Sequence, residues 1–391
     1  MSEVVIIAAR RTATGAFLGA LAEHSAADLG SRVIQALLKE SGVEASNISQ
    51  VIMGQVLTAG CGQNPARQSA LNAGLPVETQ CLTINKVCGS GLKAVHLGMQ
   101  ALQTGEAEFV IAGGQESMSN APHIAMTSRS GTRLGDITLK DSLVSDGLWD
   151  AFNDYHMGIT AENVATEFGI SREMQDEYAL VSHRNALEAQ ARGIFEREIV
   201  PVEWLTRKGE TISVERDEGP RATSIDKLTK LRPVFRKEGT VTAGNASSLN
   251  DGAAAVLLCT RDTAEARGLP VLASLGVFTH SGVQPALMGA APIQAIADCL
   301  SRSGWTPEDV DHLESNEAFA AQALAVIQQA GISPDRINPY GGAIALGHAI
   351  GASGCRILVT LVHALVRNDG KCGVAALCVG GGEGVALSVY R

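Results

Sequence analysis

The chain has 391 residues, with 31 Lys and Arg against 41 Asp and Glu, a formal charge of −10, 45% hydrophobic residues and 18% charged ones. This balance excludes a disordered, collagen-like or coiled-coil chain; it describes a globular protein whose length, at about 150 residues per domain, suggests two or three units around a substantial core. The acidic excess argues against a nucleic-acid partner, because phosphate-backbone binders present a basic face.

Val4 to Ala9 reads as a buried strand, too short for a signal segment. Ser25 to Glu40 then sets Leu29, Val33, Ala36 and Leu37 at helical spacing and stops at Gly42. A second helix is predicted from Gly91 to Leu102, followed by a buried strand at Phe109 to Ala112 that ends in Gly113-Gly114. From about Asn120 to Thr242 the composition changes: charges cluster at Arg172 to Glu177, Glu196 to Glu198 and Glu215 to Glu218, with Pro201, Pro220 and Pro233 between them. This stretch reads as an insertion. Within it, Ser171 to Ala191 predicts an amphipathic surface helix capped by Ser171, its charges forming a solvated face.

The order of the first half returns near the C-terminus. Ser41-Gly42-Val43 aligns with Ser303-Gly304-Trp305 at an offset of 262, Ser90-Gly91 with Ser353-Gly354 at 263, and Gly113 to Glu116 with Gly380 to Glu383 at 267. The pattern predicts two copies of one α/β unit, packed face to face, with a site where their loops converge. No apolar run of membrane-span length is expected. The eight cysteines form no C-x-x-C pair, which fits reduced thiols and a cytoplasmic location.

Four segments set a reactive side chain among glycines. In Asn85 to Gly91, Cys88 precedes a predicted helix, whose positive end favours thiolate and makes Cys88 a candidate nucleophile. In Gly341 to Gly354, His348 lies just before another helix, suited to a general base or an oxyanion donor. Cys378 ends an apolar strand and is followed by Gly380, Gly381 and Gly382, whose amides are candidate oxyanion donors. Asn316 stands where a strand gives way to a helix and reads either as the holder of a catalytic water or as a helix cap. Two thiols, an imidazole and an amide are the parts of covalent acyl transfer with a separate proton shuttle.

Together with Tyr155-His156-Met157-Gly158 and Val241 to Ser247, these segments resemble the thiolase family, in its acetyl-CoA acetyltransferase branch, along essentially the whole chain. The resemblance implies duplicated α/β units in a five-layered α-β-α-β-α core. Its expected boundaries are 1–119 with 243–270, a loop domain at 120–242 for CoA binding and assembly, and 271–391. It implies a ping-pong Claisen condensation of two acetyl-CoA to acetoacetyl-CoA and CoA, or the reverse, with no metal or redox cofactor. Cys88 would carry the acyl group, His348 would take its proton, and Cys378 would deprotonate the second acetyl-CoA. One oxyanion hole would come from His348 and a water on Asn316, the other from the N–H groups of Cys88 and Gly380.

By the same resemblance Leu148, His156, Met157, Ala243, Ser247, Ala318 and Phe319 would line the CoA path, Met157 and Met288 would narrow the acyl pocket, and Arg221 is the nearest counterpart of a phosphate contact. A homotetramer is implied, with no membrane partner. Ala349 departs from the family, which carries proline after the histidine, and frees a backbone N–H. The alternatives are a degradative 3-ketoacyl-CoA thiolase of broader chain length and a non-catalytic acyl-CoA or lipid-binding protein on the same scaffold.

Overall fold

The computed structural model describes residues 2–205 and 209–391. Strand β1 (Val4–Thr12) is buried along nearly its whole length, as its apolar run requires. Helix α1 (Ala26–Ser41) starts on Ser25, whose hydroxyl accepts the Asp28 N–H while Asp28 accepts the Ser25 N–H, and Gly42 closes it at φ 68°. There follow β2 (Gln50–Gly54), α2 (Pro65–Asn72), β3 (Gln80–Ile84), α3 (Ser90–Gln103) and β4 (Val110–Ser117). The insertion carries α4 (Met157–Glu167) and α5 (Arg172–Ala191) before β5 (Asn250–Thr260) returns to the first unit. The second unit runs β6 (Ala273–Gly282), α6 (Ala291–Ser303), β7 (His312–Ser315), α7 (Ala320–Ala330), α8 (Ile350–Asn368), β8 (Cys372–Val379) and β9 (Glu383–Tyr390).

These strands follow one path, β7-β8-β9-β6-β1-β5-β4-β2-β3, through an 11-stranded mixed sheet. Its two halves meet at a narrow seam, where β1 and β6 pair only at Val5 with Ser274 and Ile6 with Ala273. Helices α3 and α8 lie between the half-sheets, in one core that joins Leu92 and Val95 to Ile357, Leu361, Val256 and Leu377. Leu29, Val33 and Leu37 of α1 cover the outer face of the first half, and Ile296, Leu300 and Val326 of α6 and α7 that of the second. The five layers are thus α-β-α-β-α. Truncating a buried residue of this shared core, such as Leu361, to alanine should cost about 2–5 kcal/mol.

Four sequence expectations change. The third repeat match is out of register: Gln50 stands opposite Val110 as His312 stands opposite Gly373, so Gly113 corresponds to Ala376 rather than Gly380. Nor do Gly113-Gly114 end their strand. β4 runs on to Ser117 because β5 pairs with it throughout, and a Cβ on Gly114 would collide with the Gly351 carbonyl. Helix α5 has the predicted cap, but Gln175, Asp176, Ser182 and His183 are buried. Asp176 binds Asn245 at 2.9 Å and Ser182 binds Glu317 at 2.7 Å, so part of its polar face is a structural joint. Finally, α8 is long and apolar enough to cross a membrane, yet it is the central-layer helix, largely buried between the half-sheets.

Candidate active site

The repeated Ser-Gly pair brings the two units together. A Cβ on Gly91 would stand 2.8 Å from the Cys355 nitrogen, and one on Gly354 would stand 2.6 Å from the Leu92 nitrogen. Only glycine lets the first turns of α3 and α8 cross backbone to backbone, and that crossing sets the turns before the two helices side by side.

In the first turn Val87 is held at φ 46°, an unfavourable region for a β-branched residue. Asn85 Oδ1 accepts the Val87 N–H at 2.8 Å, and Ser90 Oγ accepts the Lys86 N–H at 2.8 Å while donating to the Val87 carbonyl at 2.6 Å. The strained turn presents Cys88. In the second turn Gly347 adopts φ 102°, where a Cβ would overlap the Asn250 amide. Asn250 Oδ1 accepts the His348 N–H at 2.8 Å, which anchors that turn to β5.

Cys88 Sγ lies 3.3 Å from His348 Nε2, and His348 Nδ1 lies 2.6 Å from Ser353 Oγ. Ser353 donates its own proton to the Ala349 carbonyl at 2.8 Å, so Oγ is an acceptor toward the ring. Nδ1 therefore carries the imidazole proton, and Nε2 is left as the acceptor for the thiol. Burial pushes the Cys88 thiol up to about 11 against the pull of the Gly380 and Cys88 backbone N–H groups. His348 is pushed down to about 4, first by burial and then by the charge of Arg356. The resting pair is thus neutral. The thiolate expected from the helix N-terminus is outweighed by desolvation.

Above this pair opens a pocket of about 540 Å³. Of the residues singled out in the sequence, Leu148, His156, Met157, Ala243 and Ser247 line it, as do Met288, Ala318, Phe319 and Gly380. Cys378 is fully buried in an apolar cluster with Met157, Met288, Ala318 and Phe319. Burial first, and then the nearness of Cys88, whose thiolate would repel a second one, drive its thiol well above the ordinary range. Asn316 is not a helix cap: α7 begins at Ala320, with Phe319 at the N-cap position and no side-chain cap. Its N–H donates to Ala376 at 2.9 Å, while neither amide side-chain atom has a hydrogen-bond partner among the described residues.

Arg221 does not join the pocket. It is exposed, and its backbone N–H points at His183 Nδ1, 3.4 Å away. Ala349 keeps φ at −67°, the value proline would impose, so the turn holds its shape without the ring. Sequence reasoning missed Ser353, Asn250 and Phe235, the last stacked on His156 at 4.6 Å. It also missed Glu317, which binds Tyr178, Ser182, Asn338 and the Ile344 N–H and so ties the Asn316 loop to the insertion. Ser353 sits in the repeated Ser-Gly pair, a usable signal; the others are far from their partners in sequence.

Fold and pocket together describe a duplicated, layered α/β protein with a thiol–imidazole pair where its two units cross. The chain belongs to the thiolase family: residues 4–262 match the thiolase N-terminal domain and residues 269–391 the thiolase C-terminal domain. It is 56% identical to an acetyl-CoA acetyltransferase of Pseudomonas aeruginosa, covering 100% of both chains. Among solved structures, the Bacillus anthracis acetyl-CoA acetyltransferase superposes with a TM-score of 0.97 at 41% identity, over 100% of this chain and 99% of that one. Human mitochondrial 3-ketoacyl-CoA thiolase gives 0.96 at 42% identity with the same coverage.

Proposed function

We propose that the protein is an acetyl-CoA C-acetyltransferase, catalysing the reversible joining of two acetyl-CoA into acetoacetyl-CoA and CoA. The observation that carries the site assignment is the 3.3 Å contact between Cys88 and His348 beneath the pocket; the full-length likeness to acetyl-CoA acetyltransferases supports the substrate. As Cys88 sulfur bonds to the acetyl carbonyl, its proton passes to His348 Nε2. The departing CoA thiolate takes the Cys378 proton, leaving an imidazolium and a Cys378 thiolate. That thiolate then removes a methyl proton from the second acetyl-CoA. The carbanion attacks acetyl-Cys88, and the released Cys88 thiolate recovers its proton from His348.

The raised Cys378 thiol suits this order, since a group neutral at rest must shed a proton before it can act as a base. Asn316, with a buried amide free of protein partners, suits a water that shares an oxyanion with His348; the N–H groups of Cys88 and Gly380 suit the other. Leu148, His156, Met157, Ala243, Ser247, Ala318 and Phe319 would contact CoA, and Met157 with Met288 would limit the acyl group. We place the domain boundaries at 1–119 with 243–270, 120–242 and 271–391, and assembly as a homotetramer through the middle segment. Its exposed Met126, Leu134, Ile137 and Leu139 favour an interface, and a monomer by light scattering at micromolar concentration would refute it. Eight unpaired cysteines suit the cytoplasm.

The likeness to 3-ketoacyl-CoA thiolase keeps a second reading, thiolysis of longer chains. Loss of enolate absorbance from acetoacetyl-CoA with CoA separates the two. Fast thiolysis that is lost in Cys88→Ala and weak on a longer 3-ketoacyl-CoA supports the acetyltransferase. Fast turnover of the longer substrate moves the protein to the degradative branch, and binding without turnover of either would overturn catalysis.

A further inference from the structure

Behind His348 lies a charge that the acyl-transfer steps do not use. Arg356 follows Ser353 by one turn on the same face of α8. Its guanidinium is buried, and neither terminal nitrogen has a hydrogen-bond partner among the described residues. Glu314 Oε2 is 3.6 Å away, beyond hydrogen-bond reach, and the other oxygen of that carboxylate is engaged with His312 Nε2 at 2.8 Å. The contrast is Arg11, which is also buried but is bound to both Glu198 and Asp217 at 2.7 Å. One buried arginine is well offset by carboxylates and the other only loosely.

Arg356 and Ser353 line the same void of about 10 Å³, together with Ala349, Gly347, Thr12 and Thr14. That is the lower limit of the space one water occupies, so no bulk solvent separates the guanidinium from the hydroxyl that holds His348 Nδ1. A charge in such a place is weakly screened. Facing Arg356 from other elements are Glu314 on β7, Arg11 on β1, and Glu198 and Asp217 from the insertion. Facing the thiol side are Glu116 of β4, with Asp251 of β5 behind it, and Cys378 of β8.

We propose that Arg356 is a positioning residue for His348, its loosely offset charge holding the resting Cys88–His348 pair in the uncharged form. The proposal rests on the roles given above to that pair. An imidazolium formed beside this charge is a stronger acid, so it returns its proton promptly when Cys88 leaves the acyl group, and idle enzyme does not hold a thiolate open to stray electrophiles.

The test is the rate at which iodoacetamide alkylates Cys88 at pH 7, read by peptide mass so that the other cysteines do not interfere. Arg356→Gln should alkylate faster, by about tenfold if His348 gains one pH unit of basicity. Arg356→Lys, which keeps the charge, should return toward the native rate. Glu314→Gln, which removes the offsetting carboxylate, should alkylate more slowly. A native rate in Arg356→Gln, a Lys variant as fast as the Gln variant, or an unchanged or faster rate in Glu314→Gln would overturn the proposal. Should Arg356→Gln fail to fold, the Glu314→Gln rate decides alone. Alkylation needs no turnover, so native enzyme that fails to transfer acetyl groups would refute the functional reading while these rates still report on Arg356.

Discussion

The turn leading into α3 and the turn leading into α8 occupy equivalent places in the two units, and they present different chemistry. The registers of β2 with β4 and β7 with β8 carry one unit onto the other at offsets of 262 to 263. Asn85 then corresponds to His348, Cys88 to Gly351 and Ser90 to Ser353. Both serines donate to a backbone carbonyl of the preceding turn, but Ser90 Oγ accepts the Lys86 backbone N–H whereas Ser353 Oγ accepts from an imidazole. Cys378 corresponds to Gln115, which is tied between Ser69 at 2.7 Å and Gln55 at 3.0 Å. Asn316, with its unpartnered amide, corresponds to Gly54. Each proposed reactive group thus has a different residue as its counterpart, and the shared Ser-Gly crossing is what the two units keep in common. The scaffold is symmetric where backbones must touch and asymmetric where substrate must react.

The comparison predicts unequal costs for changes on its two sides. Cys88→Ala removes the proposed nucleophile and should lower acetoacetyl-CoA thiolysis by about 10⁴-fold or more, measured at saturating CoA. Next comes the histidine, exchanged for its counterpart in His348→Asn. In the native protein His348 is pushed down to about 4 from an ordinary 6.5. Between those values the unfolded chain binds a proton there that the folded chain refuses. Stability therefore falls as pH drops through that window, by roughly 3 kcal/mol from this one residue. Urea unfolding at pH 7 and pH 4.5 should show a shallower pH dependence in His348→Asn, and an identical one would remove the argument from burial.

The crossing itself should be symmetric. Gly91→Ala and Gly354→Ala each push a methyl into the opposite helix and should each cost about 1–3 kcal/mol by urea midpoint. A large loss in one and none in the other would break the comparison. The smallest effect is expected at Ala349→Pro. Backbone φ there already sits at −67°, and proline should add about 0.4–1 kcal/mol of thermal stability by restricting the unfolded chain.

How much was legible follows from which contacts are local. Helix α1 could be read to within one residue at each end because Ser25 and Gly42 terminate it by chemistry within a few positions. Cys88, His348 and Cys378 were visible because each sits among glycines in an ordered series of motifs. The course of β4 was not, because Gly113 and Gly114 resemble a turn until β5, more than a hundred positions later, pairs with them. The buried polar face of α5 was hidden for the same reason, its partners being Asn245 and Glu317. Proton affinity was the other blind spot. A helix N-terminus argued for a thiolate at Cys88, but the depth of its burial, which reverses that sign, depends on the fold as a whole.

The central claim is that the two units divide the chemistry, with Cys88 carrying the acyl group and Cys378 handling the proton of the second substrate. It is tested most directly by incubating native protein, Cys88→Ala and Cys378→Ala with acetyl-CoA, then locating the acetyl group by peptide mass while measuring acetoacetyl-CoA. The account predicts acetyl on Cys88 in native protein and, formed more slowly because the departing CoA thiolate lacks its proton donor, in Cys378→Ala, none in Cys88→Ala, and acetoacetyl-CoA from native protein only. Acetyl found on Cys378, or condensation by Cys378→Ala at the native rate, would contradict it.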